Sequence, residues 1–212
     1  MSELLHHNPD VPQSNERLRL GKEIVVFMGP EGAGKSTIAK RIGAETGKPR
    51  VAIGDIIRDI ADKPKAEYYD TCKTMLDQSG YLEPQILNKI LVPQFKQKDL
   101  ADGFILDGGF RTLEEAQGFP NLLRNSGRLM PVTAVYLHIP TSMSLDRLVT
   151  GPHARRRAGE TEEGVHKRLD NHYNNLYQRI RSIEEQQWQI HYIDATGTIN
   201  QTTNNVRQKL KK

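Results

Sequence analysis

The stretch "EIVVFMGPEGAGKST", Glu23–Thr37, decides how this chain folds. "EIVVFM" is a short run rich in apolar and β-branched residues, the pattern of a buried strand. It runs directly into "GPEGAGKS", Gly29–Ser36, which fits G-x-x-x-x-G-K-[ST]. "IAKRIGAETG" then continues as a helix closed by Gly47. A strand, a glycine-rich turn and a helix in this order form a cradle for phosphate. The glycines let the backbone wrap an anion without a Cβ in the way. Free N–H groups and the positive end of the following helix then hold it. This reading places Gly29, Glu31, Gly32, Ala33, Gly34, Lys35, Ser36 and Thr37 around a nucleoside triphosphate. Lys35 reaches the outer phosphates, and Ser36 or Thr37 faces Mg²⁺ and phosphate oxygens.

Working outward, "RVAIGD" reads as a second strand, followed by a helix from Ile56. "KAEYYDTCKTMLDQSG" has helical spacing and a stop at Gly80. Glu83 to Gln97 is amphipathic, with Pro84 in its first turn and Pro93 expected to end or kink it. "GFILDGG", Gly103–Gly109, is a buried strand with Asp107 at its carboxyl end. "TLEEAQGFPNLLRNSG" is helical with a break expected near Pro120. "PVTAVYLHIP" is a further strand, and "TSMSLDRLV" a helix capped by Thr141 or Ser142. "ETEEGVHKRLDNHYNNLYQRIRSIEEQQ" reads as one long helix, "WQIHYIDA" as the last strand and "TINQTTNNVRQKLKK" as a closing helix. Five strands alternating with helices predict a parallel, doubly wound α/β sheet.

Of 212 residues, 36% are hydrophobic and 26% charged, enough for one core of modest size. The formal net charge of +4 suits a binder of anions but is too small and too dispersed to argue for nucleic acid. A single cysteine, Cys72, excludes an internal disulfide and a four-thiolate zinc site. No apolar run approaches the ~18 residues that a membrane span needs. "MSELLHHNPDVPQSNERLR" lacks the apolar region of a secretory signal. Residues 1–21 are expected to be a flexible extension, and a reducing, cytoplasmic setting follows. Asp107 is placed to hold Mg²⁺ through water. The absence of an "NKxD" run argues against a GTPase.

In order along the chain, "GPEGAGKST", "IGDIIR", "LDGGFRT", "LDRLV" and "RAGETEEGVHKRL" resemble the signatures of the adenylate kinase branch of nucleoside-monophosphate kinases. The resemblance runs from about Ile24 to the C-terminus. It implies a P-loop NTPase three-layer sandwich over 22–212, with a monophosphate-binding helical segment at about 53–82 and a short lid at about 150–162. It implies transfer of the γ-phosphoryl of MgATP to a nucleoside monophosphate, AMP above all, by a monomer with no membrane or nucleic-acid partner. By the same resemblance Arg58 and Arg111 grip the monophosphate, Ile53, Gly54, Gly108 and Glu115 complete its pocket, and Arg147 flanks the ATP base. Arg157 and Arg168 close on the transferring phosphoryl. The cluster "TGPHARRRAGETEEG", Thr150–Gly164, is then the lid, with Gly151 and Gly159 as hinges. Arg155 and Arg156 stay open between phosphate contact and plain solvation.

The chain departs from the family pattern at several points. Ile53 replaces a threonine, Gly109-Phe110 replaces Phe-Pro, Gly159-Glu160 replaces paired aspartates, and Gly151 replaces a lid arginine. Glu115 stands where the family has the glutamine that reads adenine. A carboxylate only accepts hydrogen bonds, so it would suit guanine, unless Gln117 takes the role or Glu115 points to solvent. Other readings are a GMP kinase, a kinase of another small acceptor such as shikimate or gluconate, and a nucleotide-binding module without catalysis.

Overall fold

A computed structural model describes residues 17–155 and 161–211. Strands β1 (Glu23–Met28), β2 (Arg50–Ala52), β3 (Gly103–Asp107), β4 (Val132–His138) and β5 (Gln189–Asp194) form one parallel sheet in the order β2-β3-β1-β4-β5. A parallel strand is covered on both faces, so β1 is buried at every residue. Alternate side chains enter two cores. Ile24, Val26 and Met28 join Phe104, Leu106, Ala134 and Tyr136 on one face. Val25 and Phe27 join Ile105, Val135 and Leu137 on the other.

Helices α1 (Lys35–Thr46) and α9 (Ile199–Leu210) cover the second face through Ile38, Ile42, Val206 and Leu210. The first face is covered by α2 (Ile53–Ala61), α3 (Tyr69–Asp77), α4 (Pro84–Phe95), α5 (Leu113–Ser126) and α8 (Leu176–Glu185). Short α6 (Thr141–Leu145), a π turn over Asp146–Thr150 and α7 (Glu162–Asn174) lie between β4 and α8. The chain steps from β1 out to β2, returns to β3 and crosses β1 to β4. That reversal opens a crevice at the carboxyl ends of the central strands, where such sheets bind ligands.

Several local expectations are corrected. Helix α2 begins at Ile53 rather than Ile56. Helix α5 runs through Pro120 without a break. A proline inside a helix costs about 3 kcal/mol, but Ala116, Phe119, Leu122 and Leu123 are all buried from this helix. At about 1.5–3 kcal/mol for each large apolar side chain, that burial outweighs the lost hydrogen bond. Pro93 likewise sits inside the last turn of α4, which continues to Phe95. The N-cap of α6 is Pro140, not Thr141 or Ser142, and no side chain caps it. The long helix expected after the lid is split at Asn175, which has a non-helical φ of −118° and ψ of 18°. Leu18, expected in a flexible extension, is buried at 2% exposure and its N–H donates to Glu45 Oε1 at 3.1 Å. Residues 1–16 lie outside the described residues.

A buried polar seam joins α7 and α8 to the sheet. His172 stacks parallel to Tyr136 at 6.0 Å, with its Nε2 3.4 Å from Tyr136 Oη. Its Nδ1 lies 3.4 Å from Nη2 of Arg179, a group that can only donate. The ring therefore keeps its proton on Nε2 and is neutral. Burial, then the charges of Arg179 and Lys35, lower the His172 pKa from 6.5 to about 2.

The fold makes two predictions. Gly103 has φ +99°, and a Cβ there would lie 2.1 Å from the carbonyl oxygen of Glu23 on the paired strand. Gly103→Ala should lose about 3 kcal/mol of stability, measured as a lower urea midpoint; an unchanged midpoint would show that β1 and β3 can part. His172 is protonated in the unfolded chain below pH 6.5 but stays neutral in the fold. Its contribution is thus present above that pH and falls by about 1.4 kcal/mol per unit on acidification. Urea melts from pH 6.5 to 5 should show a shallower loss for His172→Gln than for the parent protein, and equal slopes would overturn this.

Candidate active site

The crevice is a cleft of about 360 Å³ at the carboxyl ends of β1, β3 and β2. Its first wall is the glycine-rich turn. Gly29 has φ +137°, and a Cβ on it would stand 2.3 Å from the Leu137 carbonyl oxygen, so β1 turns against β4 with no space for a side chain. Gly32, Gly34, Lys35, Ser36 and Thr37 follow along the cleft, while Ala33 is buried beneath them. Lys35 Nζ donates to the carbonyl oxygens of Gly29 at 2.8 Å and Pro30 at 2.7 Å. Burial lowers its pKa to about 8, against the pull of Glu31 and Asp107 and with the push of Arg111 and Arg155. Lys35 lines the cleft, where a phosphate would favour its charged form.

The opposite wall comes from β2, α2 and the turn after β3. Arg58 lines the cleft and is paired with Asp55 at 2.6 Å. Gly54 leaves the guanidinium its place, since a Cβ there would meet both Nη atoms at 3.3 Å. Burial acts to raise the Asp55 pKa, but hydrogen bonds from Arg58 and Arg50 win and hold it below the usual carboxylate range. Gly108 and Arg111 also line the cleft, with the Arg111 guanidinium 5.3 Å from the centre of the Tyr81 ring. Ile53 is buried behind this wall.

Glu115 stands behind Arg111. Its Oε2 accepts the Arg111 backbone N–H at 2.9 Å, and its Oε1 lies 3.4 Å from the guanidinium. Its own N–H donates to Thr112 Oγ1, which caps α5. The Glu115 side chain is 6% exposed, so the solvent-facing alternative is excluded.

Asp107 is buried at the cleft floor, and its Oδ2 accepts from Arg50 Nε at 3.0 Å and Nη2 at 2.5 Å. Among the described residues nothing bonds Oδ1, which with the exposed Ser36 hydroxyl leaves room for a hydrated cation. No three His, Cys, Asp or Glu gather into a metal site among the described residues. A magnesium ion here would be held by this pair together with phosphates and water.

Arg147 reaches from the π turn to the carbonyl oxygens of Gly32 and Ala195, each at 3.1 Å, and so spans the glycine-rich turn and the loop after β5. Arg168 Nε pairs with Glu31 of that turn at 2.8 Å, and Arg155 stands 4.0 Å from the same carboxylate. Arg155 lines the cleft. Arg156, Arg157 and Gly159 lie outside the described residues.

Sequence reasoning gave no role to the lining residues Met28, Ala52, Asp55 and Leu148, and it missed four more: Arg50, Tyr81, His172 and Arg179. Arg50 and Tyr81 gave no local signal, since one opens a short strand and the other follows a glycine. The other two did. His172, Leu176, Arg179 and Ile183 recur at spacings of four, three and four, the stripe of a buried helix face with a histidine and an arginine in it. Altogether seven cationic side chains and three carboxylates line the cleft among the described residues. That excess favours a ligand with several negative charges.

The sequence matches the family described as adenylate kinase over residues 27–187. An adenylate kinase of Thermotoga neapolitana is 34% identical over 126 residues, 59% of this chain and 57% of that protein. The chain thus matches little more than half the length of that relative. Adenylate kinases of Micrococcus luteus and Mycobacterium leprae are 27% and 29% identical over 87% and 84% of this chain, and over 88% and 93% of their own lengths. With the parallel sheet, the glycine-rich turn and a match across most of its length, this chain belongs to the adenylate kinase family.

Proposed function

We propose that the protein transfers the γ-phosphoryl of ATP to a nucleoside monophosphate, with AMP as the acceptor. The observation that carries this reading is one cleft with two phosphate-facing walls, Lys35 on one side and Arg58 and Arg111 on the other. Two arginines on the acceptor wall suit a phosphate dianion better than the single carboxylate of an acceptor such as shikimate or gluconate. Adenylate kinases among the relatives support the same acceptor class.

Phosphoryl transfer needs in-line positioning and positive charge more than covalent chemistry. Amides of residues 31–36 and the N-terminus of α1 would hold the triphosphate. Lys35 would leave its two carbonyl acceptors for the outer phosphates. Arg58 and Arg111 would hold the acceptor phosphate by their planar forks, which match its oxygens two at a time. Arg147 would flank the base beside the loop after β5. Arg168 would exchange Glu31 for the transferring group, and Arg157 would join it there. Magnesium arriving with ATP would fit the Ser36 hydroxyl and Asp107 Oδ1 and would neutralise charge on the leaving diphosphate.

The alternative acceptor GMP rests on Glu115. Both of its oxygens are turned to Arg111, and using them on a base would strip Arg111 of its partner. We therefore assign Glu115 to holding Arg111 rather than to reading the base.

A coupled assay of ADP formation with AMP, GMP, CMP, UMP and dTMP tests the reading, with AMP expected to be turned over fastest. Lys35→Ala should lower kcat by about 10²–10³ with an unchanged melting curve, and near-normal turnover would remove the kinase reading. Glu115→Gln should leave the AMP-to-GMP ratio as it was. A ratio shifted toward AMP would instead make Glu115 the base reader.

A further inference from the structure

Arg179 is an arginine with no exposed surface. Its Nη1 donates to the carbonyl oxygens of Phe110 at 2.8 Å and Arg111 at 3.1 Å. Its Nη2 donates to the His172 carbonyl and its Nε to that of Asn175 at 3.3 Å. No carboxylate of the described residues lies within ion-pair distance. A buried charge without an acid is costly to keep, so what it holds must matter.

What it holds is the turn that presents Arg111. Phe110 has φ +54°, a conformation that a bulky residue rarely adopts. Its ring is fixed edge-on to Phe119 at 5.0 Å and stacked on Trp188 at 6.0 Å. Gly109 before it sits so close to the sheet that a Cβ would lie 2.7 Å from Val26 Cγ1. Packing thus fixes the start of the turn and the Phe110 ring, but it does not fix the carbonyls on either side of Arg111 Cα and the bond before it. Arg179 takes both carbonyls with Nη1, while Glu115 takes the N–H between them.

We infer that Arg179 is a positioning residue for the acceptor side of the cleft, fixing the backbone of Phe110–Arg111 so that the Arg111 guanidinium points at the monophosphate. This rests on the reading that Arg111 grips that phosphate. The guanidinium holds the Phe110–Arg111 turn through Nη1 while Nη2 and Nε stay anchored on the His172 and Asn175 carbonyls, and an ammonium, a single point of charge, keeps the charge but cannot hold both sides at once.

The test measures KM for AMP and for ATP in Arg179→Lys, Arg111→Ala and the double variant, with hydrogen exchange at the Arg111 amide. Arg179→Lys should raise KM for AMP about tenfold, leave KM for ATP in place, and speed exchange at the Arg111 amide. In the Arg111→Ala background it should add nothing further. Arg179→Gln, which keeps an amide donor, carries the same measurements should the lysine variant fail to fold. Unchanged KM for AMP, equal changes for both substrates, or effects that multiply with those of Arg111→Ala would overturn the inference alone, provided Arg111→Ala itself raises KM for AMP. If Arg111→Ala leaves that KM unchanged, the inference and the assignment of Arg111 beneath it are both overturned.

Discussion

Excess positive charge in a partly enclosed cleft is the constraint on which the rest of this structure depends. Seven cations against three acids would repel one another strongly at low local dielectric. The fold answers with main-chain carbonyls. Lys35 takes those of Gly29 and Pro30, Arg147 those of Gly32 and Ala195, and Arg179 those of Phe110, Arg111 and His172. A carbonyl dipole steadies a cation without cancelling its charge. The cleft therefore keeps an unneutralised field for an incoming polyanion.

The carboxylates are used differently. Asp107 fixes Arg50, Asp55 fixes Arg58, and Glu115 fixes Arg111 from behind. In each pair the acid sets where the guanidinium stands. Glu31 differs because it sits in the glycine-rich turn itself and draws Arg168 and Arg155 toward it. Its carboxylate occupies the electrostatic role that a phosphate would take over. The neutral state of His172 belongs to the same scheme, since another cation beside Arg179 would add repulsion where no carboxylate of the described residues forms an ion pair with either.

Backbone geometry carries as much of the site as side chains do. The tight approach of Gly29 to Leu137 fixes where the glycine-rich turn begins, and the left-handed Phe110 fixes where Arg111 emerges. Both turns leave the carboxyl ends of adjacent strands, β1 and β3. The two cationic walls of the cleft are thereby set by the spacing of a parallel pair.

The sequence by itself determined the sheet, the glycine-rich turn and the order of the elements. Those depend on local signals: apolar runs for strands buried on both faces, glycines where a Cβ has no room, and a helix stop such as Gly47. Lys35 stood out in the glycine-rich turn and Asp107 at the end of a strand, Arg58, Arg111 and Arg147 were named only through the family resemblance, and all five line the cleft. The partners of those residues were decided only by the tertiary structure. Arg50 lies 57 residues from Asp107, and Arg179 lies 68 from Arg111. Nothing local encodes which strand end or helix face a long side chain will meet. Pro120 inside α5 and the break at Asn175 went the same way: helix propensity favoured one outcome, and packing against the sheet and the reach of Arg179 favoured another. The orientation of Glu115 belongs here as well: the sequence aligns it with a base reader, and only the fold shows that both of its oxygens face Arg111.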